Sequence, residues 1–562
     1  MKIYLEARAF VAALFVCCAL CGTARATPQP AAAIASAHPL ATRAGYAVLE
    51  QGGNAFDAAI AVAAALAVVE PYSSGLGGGG FFLLHRAQDG HQVFVDGREI
   101  APAAAKREQY VDESGKLHPG ATTQGGTSVG VPGLPAALAH VARRYGRLPL
   151  AASLAPAVKL ARDGFPVDNR YARIAKLREQ HLQNSPRAAA IFLHEGTVPT
   201  LGHVVRQPEL AVTLERLGRE GAPAFYTGHI AEALVRAVNA AGGAWAKDDL
   251  AGYRAVEREP IRVRYRDATI VSAPLPSAGG IALAQTLTML QGYDIGDPLE
   301  PRNAHLVVEA LRRAFHDRAL HLGDSDQASV PVAHLLDREY LRQRAATIDP
   351  RHASSSAALE ERNAVKTESG NTTHLSVVDG AGNRVAATLS INWIFGSGIV
   401  AGDTGVLLNN EMDDFTVRTD VANSYRLHGS DANAIAPGKR PLSSMTPTFV
   451  EDSRGVLVVG APGGSRIVSQ VLLATLAHLH ARRVDVRALV AAPRYHHQYL
   501  PDRVEIEPDA FGASWSQAMS SYGHRLETAR RKWGNLQAVF QARDLSSAEA
   551  ASDPRGGDIA WY

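Results

Sequence analysis

Hydrophobic and polar residues alternate most cleanly between Thr372 and Asn392, and the alternation predicts a β-hairpin. Asp379 to Asn383 is the turn cluster between its two runs. With Ala381 as the pivot, Asp379 pairs with Asn383, Val377 with Val385, Leu375 with Ala387 and Thr372 with Ser390. Thr372, His374, Ser376, Thr388, Ser390 and Asn392 then share one face. Leu375, Val377, Val385, Ala387, Leu389 and Ile391 share the other. A slip of one residue mixes the two sets, so the pattern selects the register. Thr373 on the apolar face and Val378 on the polar face are misfits. An ordinary hairpin turns its polar face to solvent. This face carries hydroxyls, an imidazole and an amide but no Lys or Glu, as a reactive surface would.

Other segments read more simply. Asn54 is a predicted N-cap, with Asp57 three residues on, ahead of an Ala/Val/Leu run to Val69 that Pro71 stops. That run predicts a buried helix. Gly77 to Gly80 precede a strand-like Phe81-Phe82-Leu83-Leu84. The glycine run lacks the Lys-Ser/Thr of a phosphate loop and leads into a strand, so close backbone packing is expected. Leu134–Tyr145, Leu154–Arg162, His229–Ala241 and Ala304–Leu322 predict helices, and Ile261–Val271 predicts a strand. Asp349–Asn371 is polar and reads as a mobile connector just upstream of Thr372. A second polar stretch, Thr416–Lys439, contains Tyr425.

A chain of 562 residues with 46% hydrophobic content is globular and long enough for two domains or one large layered α/β unit. Lys2 and Arg8, an apolar run from Ala9 to Gly22 and Ala24-Arg25-Ala26 predict a secretory leader cleaved after Ala26. The run is short for a stable membrane span. Cys17, Cys18 and Cys21 all lie inside it, so the chain after Ala26 has no cysteine for disulfides, thiol catalysis or Cys–zinc sites. The same chain carries equal numbers of basic and acidic residues, and so has no electrostatic footprint for nucleic acid or anionic membrane.

Two motifs compete as reactive sites. Gly126-Thr127-Ser128-Val129-Gly130 fits a nucleophile elbow in wording, but a polar stretch stands where the elbow needs a strand, and Pro132 interrupts the place of its helix. His496-His497 suggests a metal, yet neighbours on an extended run point to opposite faces, so a packed or hydrogen-bonded pair is expected. Gly463-Gly464 comes after an apolar strand, Gly455–Val459. It is either a plain turn or a pair of N–H groups able to hold an oxyanion.

The wording around Thr372 resembles the nucleophile region of γ-glutamyltransferases, which are N-terminal-nucleophile hydrolases. The resemblance continues through His38-Pro39-Leu40-Ala41, Gly52–Ala59, Glu70–Phe81, Asp96–Glu99, Leu408–Phe415, Lys439–Met445, Gly460–Arg466 and Ser552–Arg555. It implies a four-layer αββα fold and γ-glutamyl transfer from glutathione or related γ-glutamyl compounds to water, an amino acid or a dipeptide. It implies self-cleavage at Asn371–Thr372 into a large subunit, residues 27–371, and a small one, residues 372–562. The α-amine thereby freed on Thr372 is the base that a threonine nucleophile lacks. Ser390, where the family usually has Thr, would orient the nucleophile, and Gly463 and Gly464 would form the oxyanion hole. Arg98, Ser443 and Ser444 would take the substrate's α-carboxylate. Asn392, Glu411 and Asp414 would take its α-ammonium. The Thr416–Lys439 stretch, with Tyr425, would be a lid. No metal or other cofactor is implied. Acylases for glutaryl-amides or poly-γ-glutamate on the same fold, and a catalytically silent γ-glutamyl-binding protein, are the alternative readings.

Overall fold

The computed structural model describes residues 31–358 and 372–556. In chain order the main strands are β1 (Ala33–Ser36), β2 (Gly79–Arg86), β3 (His91–Gly97), β4 (Val256–Arg258), β5 (Ile261–Tyr265), β6 (Ala268–Ser272), β7 (Thr372–Val378), β8 (Arg384–Ser390), β9 (Thr448–Glu451), β10 (Gly455–Gly460), β11 (Gln537–Ala542) and β12 (Ala548–Ser552). They form two six-stranded antiparallel sheets, ordered β1-β7-β8-β2-β3-β4 and β12-β11-β10-β9-β6-β5. Helices α1 (Pro39–Glu50), α2 (Ala55–Val69), α3 (Leu134–Tyr145) and α4 (Leu150–Asp163) cover the outer face of the first sheet. Helices α5 (Gly279–Leu290), α6 (Pro301–His321) and α7 (Arg466–His480) cover the second. The result is helix, sheet, sheet, helix.

β7 and β8 pair in the predicted register, Thr372 opposite Ser390 and Val377 opposite Val385. Leu375, Val377, Val385, Ala387, Leu389 and Ile391 pack under α2 in one core. The other face does not meet solvent. It lies against the second sheet, where His374 bonds Thr388 Oγ1 at 2.8 Å and Ser376 Oγ at 3.2 Å, and Ser376 Oγ donates to the Gln537 carbonyl at 3.2 Å. Burial lowers the His374 imidazole to about 3, so it is neutral, with one ring nitrogen donating and one accepting. Both misfits are thereby explained. Val378 joins the apolar cluster between the sheets. Thr373, wholly buried on the helix side, donates to Glu70 Oε2 at 2.7 Å, and Glu70 also pairs with Arg170 at 3.1 Å.

The turn is held by one carboxyl. Asp379 accepts from the Ala381 and Asn383 N–H groups, both at 2.9 Å, and from the N–H of Ala55 at 2.9 Å, which ties the hairpin tip to the start of α2. That start is the predicted capping box: Asn54 Oδ1 accepts from Phe56 and Asp57, and Asp57 returns the bond to the Asn54 N–H. Every residue of α2 is buried, which suits a helix apolar on all sides. The glycine run serves close packing: a Cβ on Gly78 would lie 2.2 Å from the Ser390 carbonyl oxygen.

Three expectations need correction. Ile261–Val271 is two strands with a turn at Arg266-Asp267, and Arg266 adopts φ +54°. No Asn-Gly or Asp-Gly marks that turn, so the apolar alternation runs across it. The helix expected from Leu154 begins at Leu150, directly after Pro149. The start of the connector is ordered: Arg313 donates to Ser354 Oγ at 3.1 Å, and Ser356 donates from N–H to Asp502 at 2.8 Å and from Oγ to the Tyr499 carbonyl at 2.6 Å. The rest of the connector, with Asn371, and the leader lie outside the described residues.

The buried Thr373–Glu70 bond yields a stability prediction. Thr373→Val keeps the shape but leaves Glu70 Oε2 without its hydroxyl donor, so it should cost about 1–3 kcal/mol. Urea unfolding monitored by circular dichroism checks this. A stabilised variant would mean that the apolar face prefers a methyl group there.

Candidate active site

Thr372 opens β7 and Ser390 closes β8, so the register places them side by side at one end of the hairpin. Both are 3% exposed and line one cavity. Ser390 Oγ accepts from the Asn392 N–H at 2.8 Å, which leaves its own proton to donate. Asn392 sits at φ +68°, donates from Nδ2 to the Asn410 carbonyl at 2.9 Å, and accepts at Oδ1 from the Tyr425 hydroxyl at 2.7 Å.

Arg98 comes directly after the end of β3. Glu411 and Asp414 bracket a single 3-10 turn, Glu411–Asp414. Asn409 sets the start of that turn: its Oδ1 accepts from the Glu411 N–H at 2.9 Å, and its Nδ2 donates to the Gly77 and Gly130 carbonyls, each at 2.7 Å. The Arg98 guanidinium bonds both Glu411 and Asp414, and Nε donates to the Pro441 carbonyl at 3.1 Å. Glu99 lies 3.6 Å from the same guanidinium, and among the described residues neither of its buried oxygens has a hydrogen-bond partner. Three carboxyls around one guanidinium do not all ionise together. Burial and the neighbouring Glu411 hold Glu99 well above the carboxylate range. Burial also pushes Glu411 up to about 7, against the pull of Arg98.

Ser443 and Ser444 line the same cavity from the other side. The Ser443 N–H donates to the Pro276 carbonyl at 2.8 Å, and Ser444 Oγ has no partner among the described residues. Gly463 and Gly464, at φ +125° and +59°, lead into α7, and among the described residues neither N–H has an acceptor. Gly464 borders the cavity of Thr372, whereas Gly463 borders the adjoining one, with Tyr425 and Ser465 common to both. The Tyr425 ring covers Gly464 so closely that a Cβ there would lie 2.1 Å from the ring. The stretch carrying Tyr425 is thus fastened over the cavity by the Tyr425–Asn392 bond.

Of the residues singled out in the sequence, Thr372, Ser390, Arg98, Glu411, Asp414, Tyr425, Ser443, Ser444 and Gly464 border this one cavity. Asn392 stands behind it and Gly463 beside it. Sequence reasoning missed Arg318, which reaches the cavity from α6. No motif marks it, because it is one of several arginines in a long helix. The rival motifs have structural roles. Ser128 donates to the Gly125 carbonyl at 2.7 Å within a short 3-10 turn. His496 bonds Ser469 at 2.7 Å and Gln498 at 2.8 Å, while His497 faces Asp502 at 3.4 Å.

The arrangement can hold a small zwitterion beside a threonine hydroxyl, with two peptide N–H groups free for an oxyanion. Known proteins share both sequence and architecture. A glutathione hydrolase proenzyme of Escherichia coli (strain K12) is 39% identical over 534 residues, covering 93% of this chain and 90% of that one. A crystal structure of cephalosporin acylase from Bacillus halodurans superposes with a TM-score of 0.80 at 27% identity, covering 95% of this chain and 96% of that one. The Helicobacter pylori γ-glutamyltranspeptidase structure gives a TM-score of 0.56 at 35% identity over 57% of this chain and 92% of that one. The family model described as gamma-glutamyltranspeptidase matches residues 41–562, and the chain belongs to that family.

Proposed function

We propose that the protein is a glutathione hydrolase and γ-glutamyltransferase that acts through Thr372. One observation carries this reading: the Thr372 hydroxyl shares a buried cavity with a basic and acidic set, Arg98, Glu411 and Asp414, suited to an α-carboxylate and an α-ammonium. A glutaryl group has no ammonium for Glu411 and Asp414 to meet. The carboxylates therefore favour γ-glutamyl donors over the glutaryl-amide alternative, although an acylase shares the fold.

The proposed chemistry begins with maturation. The Thr372 hydroxyl attacks the Asn371 carbonyl, its proton passes to the departing nitrogen, and the resulting ester is hydrolysed. Residues 27–371 and 372–562 become the two subunits. They remain one fold, because β1 to β6 precede the cut, β7 to β12 come after it, and each sheet draws on both sides. The freed α-amine, with an unperturbed pKa of roughly 7.7–8.0, then takes the Thr372 hydroxyl proton as the oxygen attacks the γ-carbonyl. Donors from Gly463 and Gly464 stabilise the oxyanion. The departing amine takes the proton, and a γ-glutamyl ester remains. Water, or the amine of an amino acid or dipeptide, attacks the ester and regenerates Thr372. Ser390 holds the nucleophile's orientation by donating to it. Residues 1–26 act as a leader directing the enzyme to the periplasm or the medium. Among the described residues, no helix is long and apolar enough to cross a membrane.

Purified enzyme should run as two chains, the smaller beginning Thr-Thr-His-Leu by Edman sequencing. Thr372→Ala should stay a single chain without activity. Cleavage of Thr372→Ala at the same bond would assign the cut to another protease and sink the self-cleavage step. Arg98→Ala should lower kcat/KM for γ-glutamyl-p-nitroanilide by ~2–5 kcal/mol, the range for breaking a buried charge pair. Subunit cleavage serves as its folding control, and unchanged kinetics would remove Arg98 from the site. Glu411, pushed up to about 7, is neutral below that pH and anionic above it, so ammonium recognition should strengthen as pH rises. The kcat/KM profile should carry that inflection, and Glu411→Gln should abolish it while leaving the limb set by the α-amine. An identical profile in Glu411→Gln rules the carboxylate out as the ammonium's partner.

A further inference from the structure

α6 carries three buried arginines in its second half: Arg312, Arg313 and Arg318. The first two are clamped by carboxylates. Arg312 Nε lies 3.1 Å from Glu309 and its Nη1 contacts Asp502, and Arg313 Nη1 lies 2.8 Å from Glu309. Arg318 differs. It is 4% exposed and borders the Thr372 cavity, yet among the described residues it forms no ion pair. Its Nη1 makes one long contact, 3.4 Å, with the His428 carbonyl, and its Nε has no partner among the described residues. Buried cations are normally paired, because desolvation is otherwise uncompensated.

Two more residues lining this cavity carry a buried polar atom that has no partner among the described residues. Ser444 Oγ is a donor without an acceptor, and Glu411 Oε2 is an acceptor without a donor. Arg98, by contrast, already bonds Glu411, Asp414 and the Pro441 carbonyl. The cavity thus holds two guanidinium groups and the Glu411 and Asp414 carboxyls, with two spare donors and one spare acceptor. A zwitterion offers one carboxylate and one ammonium, which satisfies all three orphans and adds no net charge.

We propose that Arg318 is a second specificity-determining cation of this pocket, receiving an oxygen of the donor's α-carboxylate together with Ser444. The proposal rests on the γ-glutamyl reading above. Arg318 thereby selects donors that keep a free α-carboxylate. The Glu411 acceptor takes the ammonium at the opposite side, and Arg98, which also holds Glu411 and Asp414, remains the first cation for the carboxylate. Asp414 also faces Arg318 electrostatically, and burial lowers the Arg318 guanidinium only to about 10, so it stays charged at neutral pH.

The test compares γ-glutamyl-p-nitroanilide with its α-carboxamide analogue as donors for wild type, Arg318→Gln and Arg318→Lys. Wild type should prefer the free acid. Arg318→Gln should lose about tenfold or more in kcat/KM on the free acid, the scale of a hydrogen bond to a charged group. On the α-carboxamide it should change little, so that the preference collapses. Arg318→Lys, which keeps the charge but not the fork, should restore part of the preference. Equal losses on both donors, or an intact preference in Arg318→Gln, would overturn the assignment. Subunit cleavage reports folding of each variant. A wild-type crystal structure with L-glutamate bound decides the matter even if the variants do not fold: its α-carboxylate should lie within hydrogen-bond reach of Arg318 Nε and Ser444 Oγ, and a carboxylate bound elsewhere overturns the proposal. If wild type turns over neither donor, the γ-glutamyl reading itself fails, a result distinct from either of these.

Discussion

The polar face of the β7–β8 hairpin is buried between two sheets, and much of the structure depends on satisfying it. A hydroxyl or imidazole removed from water is costly unless it is bonded. His374, Thr388 and Ser376 therefore bond one another and the Gln537 carbonyl of the facing sheet. Gly460 lacks a side chain where a Cβ would lie 2.3 Å from the His374 ring. The same closeness brings the loop after β10, with Gly463 and Gly464, to the end of the hairpin where Thr372 and Ser390 meet. A threonine hydroxyl and two peptide N–H groups are thus brought together by sheet packing.

The helix side of the hairpin anchors the same end. Thr373 points away from the cavity and into the Glu70–Arg170 pair, so the residue next to Thr372 is fixed through the opposite face of the strand. The cavity itself concentrates charge. Arg98 gathers Glu411 and Asp414, with Glu99 close behind, while Arg318 lines the same cavity and forms no ion pair among the described residues. Such a site suits a small group carrying both signs of charge. Tyr425 links this region to Asn392 and packs on Gly464, joining the charged set to the glycine turn.

The hairpin register was legible because its two faces differ so sharply that only one pairing keeps them apart. The α2 cap was legible because Asn54 and Asp57 stand at the required spacing. The depth of the polar face was not legible, since alternation looks the same whether the polar side meets water or another sheet. Thr373 looked like an error of pattern until Glu70, 303 residues away in sequence, supplied its partner. Arg266-Asp267 turned the chain without glycine, and Arg318 gave no local sign of its place because its surroundings come from segments distant in sequence. The identity of the site residues came through the family resemblance; their shared cavity came from the structure.

On the proposed mechanism, Thr372 carries the γ-glutamyl group during turnover. Mass spectrometry of the small subunit, acid-quenched during steady-state reaction with a γ-glutamyl donor, tests it most directly. One added γ-glutamyl group is expected on the N-terminal peptide that begins Thr372-Thr373-His374, and it should be lost when an acceptor dipeptide is supplied. An adduct mapped to a different residue, with Thr372 unmodified while product accumulates, would contradict it.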